Sequence, residues 1–311
     1  MNSNAFAMSL ALSGLLMPGC AKSERVGPAG AERAGAGEKA AAPPGPAAVA
    51  ERYALTGVVV SADGAKKILV VQHDEIKGYM PAMTMEFVVS AGDAAVAKPG
   101  QRIRAEMVPS KDGDFRLEKI WPDEKSAADA VAAGALKLRQ DTFTRGKNAY
   151  REVGEAIPEF SLYDQEGRVV QSGRFRGKSV MINFIFTRCP VATMCPASTT
   201  KMLAAQSQAA AAGVKGIEFV SITLEPGYDT PGVLKEYAVA RGIDTANFSL
   251  LTGPDAAVRD LLTQFGVIAE LKGDLIQHTL TTLLIGEDGK IVHRADGSAW
   301  EPKDFVARMR K

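Results

Sequence analysis

Two groups of residues in this chain of 311 could hold a soft metal: His73 with Met80, Met83 and Met85, and Cys189 with Cys195 and, much further on, His278. Thiolate, thioether and imidazole favour Cu(I), whereas Mg, Ca and Mn favour oxygen ligands, so copper, as Cu(I) or Cu(II), is the economical reading of both groups. Side chains on a strand alternate faces, and Met83-Thr84-Met85 therefore places both thioethers on one side, about 7 Å apart along the backbone. Met80 precedes Pro81 and is biased to an extended conformation. His73 ends the preceding strand, so the four can converge at one end of a small β module. Methionines at alternate strand positions are also ordinary core filler, and that reading stays open. In the second group Cys189 directly follows a buried strand, and Cys195 is followed by Pro196, a residue suited to the first turn of a helix. A helix N-terminus favours the thiolate. Such a pair can ligate metal, exchange disulfides, or form a structural disulfide in an exported protein.

Length and composition bound what these groups can mean. The chain is long enough for two compact domains, and 46% apolar content is ordinary for globular protein. A net charge of +1 with no Lys/Arg block argues against nucleic acid as a partner. The apolar run Ala5 to Leu16 is short for a bilayer span but suits a secretory signal over residues 1–19. It ends in Leu16-Met17-Pro18-Gly19-Cys20, which resembles a bacterial lipoprotein signal with Cys20 as the lipidated residue; the alternatives are an ordinary signal or a weak anchor. Residues 20–52 are rich in Ala, Gly, Pro and Glu without apolar periodicity and read as a flexible tether. Their Gly-Ala-Gly follows no strand and opens no βαβ unit, which excludes a dinucleotide-binding loop.

The elements that must position the first group lie in residues 53–123, where five short β-like runs separated by turn signals predict a small all-β, OB-like barrel. The string His73-Asp74-Glu75-Ile76-Lys77-Gly78-Tyr79-Met80-Pro81-Ala82-Met83-Thr84-Met85-Glu86-Phe87 resembles the CusF family, the periplasmic copper-binding barrel of bacterial copper-efflux systems. That resemblance implies copper ligation by His73, Met83 and Met85. Met80 stands where the family has a metal-capping Trp, offering a third thioether in place of the aromatic cap.

A helical connector is expected over 124–150, and from 151 to 311 strands alternate with helices and close with a hairpin and a helix, the pattern of a thioredoxin-like α/β domain. Phe186-Thr187-Arg188-Cys189-Pro190 with Cys195-Pro196, Ile157-Pro158-Glu159-Phe160, Glu225-Pro226, Asp229-Thr230-Pro231-Gly232 and His278-Thr279-Leu280 resemble the SCO/SenC family of copper chaperones for cytochrome oxidase assembly. The resemblance implies that Cys189, Cys195 and His278 bind copper. Two departures are visible: five residues, not three, separate the cysteines, bringing Met194 close as a possible thioether, and Glu225 stands where the family has Asp. No proline lies between Gly273 and Ile285, where thioredoxin-like reductases keep one, which favours metal handling over disulfide exchange. His293 reads as a surface residue. The expectation is an exported, periplasmic, membrane-anchored lipoprotein. It would deliver copper to a client such as cytochrome c oxidase subunit II. The alternatives are a thiol-disulfide oxidoreductase using Cys189 and Cys195, and copper storage or resistance.

Overall fold

Alternating apolar residues in the first part of the chain form strands whose inner faces build one core. A computed structural model describes residues 51–110, 113–146, 149–272 and 275–309; the predicted signal, Cys20 and all of the tether before Glu51 lie outside the described residues. β1 (Tyr53–Asp63), β2 (Ile68–His73), β3 (Met83–Val88), β4 (Arg102–Pro109) and β5 (Phe115–Pro122) close into a barrel in the order β1-β2-β3-β5-β4, with β4 returning to β1. Leu55, Val59, Leu69, Val71, Phe87, Ile103, Met107 and Leu117 fill it. Between β3 and β4 stands a short helix, α1 (Ala91–Val96), which the sequence reading passes over. Ser90 caps it, its hydroxyl accepting from Asp93 N at 3.0 Å.

The connector forms α2 (Lys125–Arg145) and is packed rather than free, with Val131 and Leu138 buried. Beyond it come β6 (Ser161–Asp164), β7 (Val169–Gln171), β8 (Ser179–Ile185), α3 (Cys195–Ala211), β9 (Ile217–Thr223), α4 (Pro231–Arg241), β10 (Phe248–Thr252), α5 (Asp255–Gln264), β11 (Ala269–Lys272), β12 (Leu275–His278), β13 (Thr281–Ile285), β14 (Ile291–Asp296) and α6 (Pro302–Met309). Seven of these strands make one sheet in the order β14-β13-β8-β9-β10-β6-β7, with β8, β9 and β10 parallel and β13 antiparallel to β8. Every residue of β9 is buried, as in β8 beyond Ser179; Val180 to Phe186 reads accordingly as a near-continuous apolar run, whereas β9 buries Glu218, Ser221 and Thr223 among its apolar residues. This is the thioredoxin-like α/β arrangement. β11 and β12 form a separate two-stranded ribbon, also absent from the sequence reading.

The barrel is seated on the larger domain at two places. At the first, α1 meets α4 where both carry glycine: a Cβ on Gly92 would overlap the Gly232 carbonyl oxygen and lie 2.7 Å from Glu236 Cγ, and a Cβ on Gly232 would overlap the Asp93 carboxylate. Gly92 N donates to Glu236 Oε1 at 2.8 Å. At the second, Trp121 of β5 packs with Val131 of α2 and edge-on to Tyr163 of β6, ring centroids 6.0 Å apart. Gly167, at φ 72° in the β6–β7 turn, sits against Pro122, where any side chain would be strained and crowded.

Candidate metal centre

The continuous apolar strand β8 delivers Phe186 to Arg188 and then Cys189 to the edge of the sheet, and α3 opens on Cys195. The five residues between the cysteines fold into a turn, with Met194 N donating to Val191 O at 3.0 Å and Ser198 N to Met194 O at 2.8 Å. The ribbon β11–β12 ends on His278 at the same place. The Sγ atoms of Cys189 and Cys195 and a ring nitrogen of His278 all lie within 4.8 Å of one another, and among the described residues this is the one such convergence of three or more His, Cys, Asp or Glu ligands. Both cysteines are free thiols, Cys195 buried and Cys189 half-buried.

His278 is held by its neighbours in the state a ligand requires. Nδ1 lies 3.0 Å from Thr279 O, and since a carbonyl only accepts, Nδ1 carries the proton and Nε2 keeps its lone pair. Nε2 faces Cys195 Sγ at 3.3 Å, and Phe186 packs edge-on against the ring with centroids 5.7 Å apart. Burial lowers the His278 pKa, so the ring is neutral at pH 7. The sequence expectation for Cys195 is corrected here: burial pushes its thiol up to about 12, and neighbouring Cys189 adds to the shift. The helix N-terminus favours a thiolate too weakly to offset that desolvation.

Sequence reasoning gave no role to the acidic residue that holds the loop before Cys189. Asp229, fully buried between β9 and α4, accepts from Thr187 Oγ1 at 2.5 Å, Thr187 N at 3.2 Å and Thr223 Oγ1 at 2.6 Å. Burial nonetheless pushes its carboxyl up to about 6. Glu225 forms a two-pronged ion pair with Arg188, whose guanidinium also lies over Tyr228, 4.6 Å from the ring centroid. The sequence signals for Asp229 are its membership of the family-like stretch Asp229-Thr230-Pro231-Gly232 and its place just before a helix start, where an acidic residue ordinarily reads as a cap.

In the barrel, register brings the predicted ligands onto one face. His73 pairs with Met83 and Val71 with Met85, and on β2 the buried positions are Leu69, Val71 and His73, so both methionines share the inner side with the imidazole. His73 Nδ1 lies 2.7 Å from Asp74 O, which leaves Nε2 as the lone-pair nitrogen; it is buried and has no hydrogen-bond partner. The Asp74 carboxylate is fixed by Thr56 Oγ1 and Arg102, each at 2.5 Å. Met85 is half-buried against the core, whereas Met83 is 48% exposed, which core filler would not be. Met80 is half-buried in the loop above, its backbone bridged to Ile76. Tyr79 turns away to Tyr53 and Phe115, so the aromatic contact of His73 among the described residues is Phe87, edge-on at 5.9 Å. His293, read as a surface residue, instead packs half-buried against Phe305 of α6, centroids 4.9 Å apart. It belongs to neither cluster.

Residues 148–311 match the family model described as SCO1/SenC, and residues 52–122 match the model described as copper binding periplasmic protein CusF. Among curated relatives, a SCO2-like protein of Rickettsia typhi is 32% identical over 176 residues, 51% of this chain and 80% of that protein. The SCO1 protein homolog of Bacillus subtilis is 27% identical over 154 residues, 48% of this chain and 78% of that protein. Among solved structures, a SCO1/SenC family lipoprotein from Bacillus anthracis is similar with a TM-score of 0.48 at 24% identity, over 52% of this chain and 98% of that one.

Proposed function

The chain belongs to the SCO1/SenC family, and on that footing we propose that it is an exported copper chaperone whose two halves each bind one copper ion. The observation that carries this reading is the convergence of two thiols and a correctly oriented imidazole within 4.8 Å, a donor set that suits copper and leaves hard cations unsatisfied. Cys189, Cys195 and His278 hold copper in the thioredoxin-like half. His73, Met83 and Met85, with Met80 above them, hold Cu(I) in the barrel, supported by the unpartnered His73 Nε2 and by the match to a copper-binding periplasmic family. A second site on the same chain raises the local concentration of copper beside the first. The client is an oxidase copper site such as that of cytochrome c oxidase subunit II, and Cys20 carries the lipid that anchors the protein in the periplasm. Among the described residues no helix is long and apolar enough to cross a membrane.

The test is copper content together with delivery. Cys189→Ser or Cys195→Ser should abolish tight binding at the C-terminal centre, and His278→Ala should change its Cu(II) spectrum. A null strain should show low cytochrome oxidase activity, restored by the wild type and not by His278→Ala. The half-exposed Cys189 beside a second thiol also supports a thiol-disulfide oxidoreductase acting on the oxidase cysteines. Full rescue by His278→Ala, with copper-independent reduction of an oxidase disulfide, would establish that reading instead.

A further inference from the structure

The segment that runs from the end of β9 into α4 touches the cysteine loop at its start and the barrel in the first turns of α4. Its Glu225 and Asp229 hold Arg188 and Thr187, the two residues immediately before Cys189. Three residues after Asp229, Gly232 lies backbone to backbone against Gly92 of α1, and Glu236, one turn further along α4, accepts the Gly92 amide. The segment between these contacts has no slack. Asp229 N bonds Glu225 O at 2.9 Å and Thr230 N bonds Tyr228 O at 2.8 Å, while Pro231 has a fixed φ and opens the helix. A cleft of about 520 Å³, lined by Val88, Leu117, Asp93, Tyr228 and Thr230, opens beside the contact, so α1 is not boxed in on that side.

The cysteine loop in turn depends on its anchors. Pro190 to Thr193 are exposed, and the spacer is longer than the family pattern, so what precedes Cys189 decides where its sulfur stands. We infer that α1 of the barrel, seated on Gly232, is a positioning element for Cys189, acting through the Asp229–Thr187 contact. The barrel would then shape the second metal centre besides binding copper of its own. The inference rests on reading the Cys189, Cys195 and His278 cluster as a metal centre, but the coupling can be read in the metal-free thiols.

The experiment uses the full chain, reduced and metal-free, and follows alkylation of Cys189 by N-ethylmaleimide with mass-spectrometric assignment. Gly92→Val should force α1 off Gly232 and raise the Cys189 rate several-fold; Thr187→Val should do the same by removing the hydroxyl bond to Asp229 and leaving only the weaker one from Thr187 N at the other end. Because both act on one path, the double variant should react no faster than the faster single variant, a non-additivity that general loosening would not produce. The Cu(II) spectrum of the loaded centre should shift in the same variants although every ligand is intact. Should Gly92→Val fail to fold, Glu236→Ala, which removes the acceptor of the Gly92 amide together with a side chain and a charge beside Asp93, should give a smaller rise in the same direction. A wild-type rate in the variant that displaces α1, or a double variant whose effect is the product of the two singles, overturns the inference. Failure of the chain to bind copper would overturn the proposed function while leaving the alkylation comparison decisive.

Discussion

A thiol pushed up to about 12 by burial is protonated at pH 7, so on the proposed function copper would have to displace that proton to gain the Cys195 thiolate. His278 is already neutral and gives up none. Protons therefore compete with copper at Cys195, and affinity at the C-terminal centre should rise with pH through the neutral range, by about tenfold per pH unit for each proton released. Competition against a chelator of known affinity measures this, and a flat profile would remove Cys195 from the ligand set. At His73 the balance differs: a buried, unpartnered nitrogen costs roughly 1–3 kcal/mol, so His73→Leu should lose barrel Cu(I) while thermal stability of the metal-free chain holds or rises. The cluster of Cys189, Cys195 and His278 was legible through the family resemblance, with the strand end before Cys189, the helix start at Cys195 and the residues before β13 agreeing with it. The protonation state of Cys195 was not legible, since a helix terminus can be read from Pro196 but the depth of burial depends on what the rest of the chain lays over it.

At the level of elements, the barrel strands and the parallel core strands follow directly from alternation and from continuous apolar runs. α1 and the ribbon β11–β12 do not. α1 has six residues, four of them Ala or Gly, and offers no periodic stripe; it forms because Ser90 caps it and α4 accepts its glycine face. At an ordinary helix position Gly→Ala gains about 1 kcal/mol. At Gly232 the sign reverses, because the added Cβ meets the Asp93 carboxylate, and Gly232→Ala should lower the unfolding free energy by about 1–3 kcal/mol, measured by chemical denaturation. Asp93 makes the same contact sensitive to pH. Burial pushes its carboxyl up to about 6, above its value in the unfolded chain, so the folded state binds the extra proton. That contribution is fully present below about pH 4 and is lost as pH rises through about 6. Asp93→Asn, which mimics the protonated acid, should be nearly neutral at about pH 3.5 and stabilising by roughly 2–3 kcal/mol at about pH 7.5, measured by thermal unfolding at both.

On the scale of the whole molecule, two donor sets on one body predict two copper ions per chain, with Cys189→Ser removing one and His73→Leu combined with Met83→Leu removing the other. Titration with Cu(I) under reducing conditions counts them, and a wild-type stoichiometry of one would show that one of the two donor sets does not bind copper. The two domains were legible as separate patterns, but their joint was not, because it consists of missing side chains at Gly92 and Gly232 and of Trp121 against Tyr163, none of which marks itself as an interface in the chain. The ribbon β11–β12 has a consequence of its own. Cys189 and Cys195 are fixed to the central strand β8 and to α3, whereas His278 rides on two short strands that pair only with each other. The three-residue cluster therefore divides into a pair carried by the main sheet and its helix and a third arm on the ribbon, and withdrawing that arm breaks no strand pairing of the main sheet. If these three residues hold copper as proposed, an incoming acceptor would take the position of His278 before displacing either sulfur, so the cargo would pass from hand to hand without ever being loose and its residence time would be set by the arrival of the recipient.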